Sequence, residues 1–257
     1  MKVISFLNEK GGVTKTTSTF NIGFCLAEKG YNVLMIDLDY QGSLGLACGI
    51  ETRQVKSTIA DVIKNDSWGK GKSIHQLREN LFICPANRDL KRVFKEIEYK
   101  ESKDPRKIYF HLKSVLGKLN QDIMDFCLID CHPDFDVCEI NALCASDGII
   151  IPCAPDYLPY RGANDFIGEA IFDIKRTLNP DLKELGILVS RYKKISTDDR
   201  VIMKQLNKQF GVIGIIPETV DNKRGNVKGK CTCEIKPKSV IAQEYRAITE
   251  RIIERMK

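Results

Sequence analysis

Near-continuous apolar runs alternate along the whole chain with stretches whose apolar residues recur at helical spacing. Met1–Leu7, Asn32–Asp37, Leu81–Pro85, Asp125–Asp130, Gly148–Pro152, Leu185–Ser190 and Val212–Ile216 read as strands, too apolar to expose either face. Between them, helices are predicted over Lys15–Lys29, Thr58–Lys64, part of Asn87–Lys107, Val137–Ala145, Arg161–Leu178, Thr197–Phe210 and Ser239–Met256. Another follows Pro105, with Ile108, Leu112, Val115 and Leu116 as its buried stripe, and the first helix stops at Gly30, a residue suited to the turn after a helix. Asn65–Lys72, which holds the only tryptophan, reads as a polar, glycine-bearing loop. Strand and helix in alternation predict an α/β fold, a doubly wound, mainly parallel sheet with helices on both faces. No repeat or low-complexity linker interrupts the pattern, so residues 1–257 are expected to form a single domain.

Composition narrows this picture. A chain of 257 residues can bury a substantial core, and no segment has the apolar length to span a bilayer. With the first strand beginning at once, a cytoplasmic protein is expected. Of ten cysteines, Cys25, Cys84, Cys127, Cys144 and Cys153 lie within apolar runs and read as small buried hydrophobes. Cys231 and Cys233 form one close pair, but no second pair stands at zinc spacing. The net charge of +6 is uneven: Ser190–Lys257 carries 16 Lys/Arg against 8 Asp/Glu, and the rest 24 against 26. A basic C-terminal quarter on a near-neutral body points to a polyanionic partner or to a solvated basic face.

The chemistry concentrates at Val3–Thr17. An apolar strand ends in the turn Lys10-Gly11-Gly12-Val13-Thr14 and a helix starts at once, so backbone N–H groups and a helix N-terminus face whatever anion sits above the sheet. Gly11 and Gly12 allow close approach, Lys15 can reach the β- and γ-phosphates of a nucleotide, and the Thr16 hydroxyl is placed for Mg²⁺. Asp37-Leu38-Asp39 follows the second strand and Asp130 ends another, so all three segments are expected to converge on one sheet edge.

The standard phosphate-loop expression fails twice, at Glu9 and Thr14, where it requires glycine; what fits is Lys-Gly-Gly-x-x-Lys-Thr with Lys10 at its front. This resembles the ParA/MinD family of deviant Walker P-loop ATPases, and most closely its ParA (Soj-like) partition branch. Asn141-Ala142-Leu143, Ile150–Leu158, Arg161-Gly162 and Lys236-Pro237-Lys238-Ser239 with Ala242 and Tyr245 carry the likeness nearly end to end. The resemblance implies ATP and Mg²⁺ as cofactors, and a loop Lys10 to Thr17 that binds the nucleotide. It further implies a homodimer in which Lys10 reaches the partner's nucleotide. Asp39 would orient the attacking water, Asp37 would support it, and Thr16, Asp130 and Asp39 would hold Mg²⁺ directly or through water. Position places the base near Ser190, Arg191 and Pro217.

In the partition branch the ATP-bound dimer binds DNA without sequence preference, and a ParB-like partner quickens slow hydrolysis. Lys193, Lys194, Arg200, Lys204, Lys223, Arg224, Lys228 and Lys230 are the matching candidates here. Tyr40 and His132, each standing where proline is usual, depart from the family's pattern, as do Cys131 and the stretch Asn222–Lys230. His132 reads either as a tuning group or, more simply, as a replaced loop residue. The resemblance also leaves a MinD-like membrane-cycling ATPase, an iron–sulfur reductase and a scaffold without hydrolysis as alternatives. For the first, Val240, Ile241, Tyr245, Ile248, Ile252 and Ile253 read instead as the core-facing stripe of an ordinary closing helix, so no stable membrane association is expected. For the second, Cys131 lacks a second cysteine in a glycine-rich setting.

Overall fold

The computed structural model describes residues 1–101, 104, 106–119, 123–154, 166–192, 211–218 and 229–257. Eight strands form one sheet: β1 (Lys2–Phe6), β2 (Val33–Leu38), β3 (His75–Arg78), β4 (Leu81–Cys84), β5 (Phe126–Cys131), β6 (Gly148–Cys153), β7 (Lys183–Tyr192) and β8 (Val212–Pro217). Their order is β3-β4-β2-β5-β1-β6-β7-β8, and every pairing is parallel except β3 with β4. The helices are α1 (Lys15–Glu28), α2 (Ser43–Ala47), α3 (Ile59–Asn65), α4 (Asp89–Lys100), α5 (His111–Gly117), α6 (Val137–Ala145), α7 (Phe172–Thr177), α8 (Thr232–Ile235) and α9 (Val240–Arg255).

The strands alternate their side chains between two cores. In β2, Leu34, Ile36 and Leu38 enter the core made with α3, α4, α5, α6 and α7. Val33 and Met35 enter the other, made with α1, α2, α8 and α9. Covering both faces removes every polar position from β1's last four residues and from β2, β5 and β6, apart from a few short or acidic side chains at the strand ends and Ser5. That is why these strands read as unbroken apolar runs. All ten cysteines are buried free thiols.

Several elements differ from the sequence reading. Trp68 is buried within the stretch read as a polar loop, and its Nε1–H donates to the Val115 carbonyl at 2.7 Å. Burial of one large ring on α5 is a tertiary contact that a polar local composition hides. The strand β3 and the short helices α2 and α8 were not foreseen. The sequence of β3, His-Gln-Leu-Arg, is polar because it is an edge strand, antiparallel and only partly buried. In α9, Ile241, Tyr245, Ile248 and Ile252 are buried as expected, but Val240 is 64 % exposed. It opens the helix, just after the Ser239 cap, on the outward side of the stripe. The helix expected over Thr197–Phe210 lies outside the described residues, as do the first residues of that expected over Arg161–Leu178. What is described of the latter is a π-helical turn, Phe166–Ile171, followed by α7.

The contact of α9 with the sheet depends on Gly214 in β8. A Cβ added there would lie 2.2 Å from Ile248 Cγ1 and 2.5 Å from its Cδ1. Gly214→Ala is therefore expected to lower unfolding stability by about 1–3 kcal/mol through overpacking, read as a shift in the urea midpoint. An unchanged midpoint would show that α9 can move away from β8 without cost.

Candidate functional site

The three central strands β2, β5 and β1 end side by side, with Asp37, Asp130 and Phe6 in register across them. Directly beyond β1 the chain turns into α1, and the turn is built by a small set of polar contacts. The Asn8 amide donates to the Pro152 carbonyl at 2.8 Å, and its Oδ1 accepts the Lys10 N–H at 2.9 Å. Ser190, fully buried at the end of β7, donates from Oγ to the Val13 carbonyl at 3.0 Å. Gly12 takes a left-handed backbone (φ 79°), and so does Thr14 (φ 68°). The second departure from the standard motif thus puts a β-branched residue in a conformation that glycine adopts freely. Nothing stands within 4 Å of where a Cβ would be on Gly11 or Gly12, so the loop is open above.

Lys15 opens α1 and is 7 % exposed. Its ammonium donates to the carbonyls of Asn8 at 2.8 Å and Lys10 at 2.9 Å, so the lysine folds back over its own loop. Burial pulls its pKa down, opposed by the charges of Asp130, Cys131, Asp39 and Glu139. A cation held at the N-terminus of a fourteen-residue helix, under open space and with no acidic residue in the first turn, is an anion site.

Asp130 is fully buried, and neither carboxylate oxygen has a hydrogen-bond partner. Burial pushes its pKa up to about 7; the hydroxyls of Thr16 and Thr19 lie close enough to hold it down somewhat, as does Lys15, while Asp39 raises it. An unsatisfied buried carboxylate beside a threonine hydroxyl is a poor core element and a good donor set for a hard divalent cation, directly or through water. Thr16 and Asp130 therefore fit Mg²⁺.

Asp37 differs from its expected supporting role in one respect: both oxygens are engaged by backbone. Oδ1 accepts the Asp39 N–H and Oδ2 the Gly45 N–H, each at 3.0 Å, so Asp37 shapes the loop that carries Asp39. Burial first, then the neighbouring Asp130, raises its pKa well above the usual carboxylate range. Asp39 is held by its own loop, its Oδ1 accepting from Gln41 N–H at 2.8 Å and its Oδ2 from Ser43 Oγ at 3.1 Å.

Lys10, Gly11, Gly12, Val13, Thr14, Lys15, Thr16 and Thr17 all lie in the loop and first turn as expected. Arg191 lies one residue before the end of β7 and Pro217 ends β8; Arg191 is exposed and pairs with Glu218 at 3.3 Å. Ser190 of that group hydrogen-bonds to the loop through the Val13 carbonyl. Lys193, Lys194, Arg200, Lys204, Lys223, Arg224 and Lys228 lie outside the described residues, and Lys230 is exposed. Cys231 and Cys233 are buried against Cys25, whose thiol donates to Cys233 Sγ at 3.5 Å. No group of three or more His, Cys, Asp or Glu suited to a metal occurs among the described residues. Asn8 and Ser43 were missed; Asn8, the first polar residue after an apolar strand, was the legible signal.

An AAA domain family (AAA_31) matches residues 1–184. The sporulation initiation inhibitor protein Soj of Bacillus subtilis is 29 % identical over 254 residues, covering 98 % of each chain. Among solved structures, cobyrinic acid a,c-diamide synthase from Mycobacterium smegmatis with bound ATP analogue and magnesium has a TM-score of 0.83 at 28 % identity, covering 100 % of this chain and 96 % of the other. The cell division ATPase MinD of Pyrococcus furiosus has a TM-score of 0.78 at 25 % identity, covering 98 % of each.

Two outcomes are expected of the protein without ligand. Folded Asp130 keeps its proton to about pH 7, whereas the unfolded chain releases it near the ordinary value of about 3.9. The folded state thus binds the extra proton between these values, and stability falls as pH rises through that window. Asp130→Asn should make the decline in urea midpoint shallower; an unaltered slope would place the effect elsewhere. Thr14→Gly should raise stability by up to about 1 kcal/mol by relieving the left-handed strain, and a lower midpoint would contradict this.

Proposed function

We propose that this chain, which belongs to the ParA/MinD family of P-loop ATPases, binds ATP with Mg²⁺, dimerises on it, and binds DNA without sequence preference until hydrolysis releases it. The role is segregation of plasmid or chromosomal DNA. The observation that carries the reading is the pairing of a buried, unpartnered Asp130 with Lys15 beneath an open glycine loop. A nucleotide with its cation would supply what each lacks, a negative charge for Lys15 and a positive one for Asp130.

In this reading, backbone N–H groups of Gly11 to Thr17 and the Lys15 ammonium hold the phosphates, and Thr16 and Asp130 hold Mg²⁺. When bound, the cation neutralises charge on the phosphates. Lys15 leaves the Asn8 and Lys10 carbonyls to reach the phosphates. Asp39, carried beside the site by the loop that Asp37 clamps, orients a water. Lys10 at the front of the loop reaches across to the nucleotide of a second protomer, which makes dimerisation depend on ATP. The chromosome partitioning protein ParA of Caulobacter vibrioides, 28 % identical over 259 residues, supports the segregation role, and a ParB-like stimulating partner is what the family resemblance implies. The excess positive charge after Ser190 supports DNA as the polyanion.

The test is DNA binding with ATP, ADP or no nucleotide, in the wild-type chain and two variants. Lys10→Ala is expected to bind ATP as a monomer and lose nucleotide-driven DNA binding. Asp39→Ala should keep ATP binding while turnover is suppressed. Wild-type DNA affinity should fall with salt at a log–log slope of about −0.9 per phosphate contacted. Equal DNA binding with ADP and ATP, or undiminished turnover in Asp39→Ala, would refute the reading.

A further inference from the structure

Tyr40 and His132, which stand on different loops, meet in the fold. Their rings stack with centroids 4.2 Å apart and planes at 27°, and the Lys91 ammonium sits 4.9 Å from the Tyr40 ring centre on α4. His132 is 9 % exposed. Its Nδ1 accepts the Asp134 N–H at 3.1 Å, with the Asp134 carboxylate 3.5 Å from the same nitrogen. A ring nitrogen that accepts an N–H carries no proton, so the neutral ring bears its proton on Nε2. Nε2 is the nitrogen that faces Asp39, 3.7 Å from Oδ1.

The contacts to Asp39 from Gln41 and Ser43 come from its own loop and the start of α2. His132 instead stands two residues beyond Asp130, at the end of a central strand. It therefore faces the carboxylate from that strand end, at a separation that a small shift of the Asp39 loop would shorten to a hydrogen bond. The Tyr40 ring covers one face of the imidazole and limits its rotation.

We propose that His132 is a positioning residue for Asp39, its Nε2–H aiming the carboxylate and the Tyr40 ring holding the imidazole in place. This rests on the reading of Asp39 as the residue that orients water. A misplaced orienting group costs rate without costing nucleotide affinity, so kcat is expected to fall about 10- to 100-fold in His132→Ala, with ATP affinity within about twofold of wild type.

The experiment measures single-turnover hydrolysis, ATP affinity and thermal midpoint in His132→Ala, His132→Gln, Tyr40→Ala and the His132→Ala/Tyr40→Ala double variant. Gln, whose amide N–H reaches in the same direction, should recover a large part of the lost rate. The double variant should be no slower than His132→Ala alone, because the two rings act as a unit. Independently of activity, long-range ¹H–¹⁵N spectra of the wild-type imidazoles should show an Nε2–H tautomer for the signal that disappears in His132→Gln. A His132→Ala rate within twofold of wild type, a loss seen only in ATP affinity, fully additive losses, or an Nδ1–H tautomer would each overturn the proposal. If Asp39→Ala turns over normally, the functional reading itself fails; if Asp39→Ala is slow while His132→Ala is fast, only the positioning role fails.

Discussion

Two carboxyls and an ammonium share the dry end of a parallel sheet, and burial works against the charged form of each. Asp37 and Asp130 are neighbours in register, which raises the cost of ionising both. Asp37 is compensated by two backbone N–H groups and Lys15 by two carbonyls, but Asp130 has only the nearby hydroxyls of Thr16 and Thr19, neither in full hydrogen-bond geometry. A protein interior rarely tolerates such a group unless a ligand completes it. The arrangement makes sense as one half of a cation and phosphate site.

The fold supplies this arrangement through its topology. Parallel pairing of β2, β5 and β1 brings three sequence-distant strand ends to one edge, and α1 starts directly above β1. Asn8 ties the loop to β6 and Ser190 ties it to β7, so strands on the far side of β1 also fix the loop. From α1, Ser18 Oγ meets the buried Tyr245 hydroxyl of α9 at 3.3 Å, which joins the loop's helix to the closing helix. The site thus rests on β1, β2 and β5 and on contacts from β6 and β7.

Much of this was legible in the chain. Strands buried on both faces leave unbroken apolar runs, and the boundaries of Val137–Ala145 coincide with α6 because Asp136 and Glu139 form a capping box. Lys15, Thr16, Asp37, Asp39 and Asp130 could be placed because each follows such a run. Elements whose stability is tertiary were not legible. Trp68 is buried by α5 despite polar neighbours, β3 is a short polar edge, and α2 depends on Gly45, where a Cβ would lie 2.6 Å from Thr52 Cγ2. The stacking of Tyr40 on His132 also escaped, since each residue looked like an isolated replacement until β2 and β5 were seen side by side. The sequence likewise does not reveal that backbone N–H groups occupy both oxygens of Asp37, the residue expected to support Asp39.

The account stands on Asp130 being the buried carboxyl that receives a cation arriving with a nucleotide. Calorimetric affinity for ADP, with and without Mg²⁺, in the wild-type chain and in Asp130→Asn measures this directly. Mg²⁺ should tighten ADP binding to the wild-type chain by about tenfold or more, a gain of about 1.4 kcal/mol, and Asp130→Asn should lose most of that gain while binding metal-free ADP as well as before. An equal Mg²⁺ gain in both proteins would contradict the account.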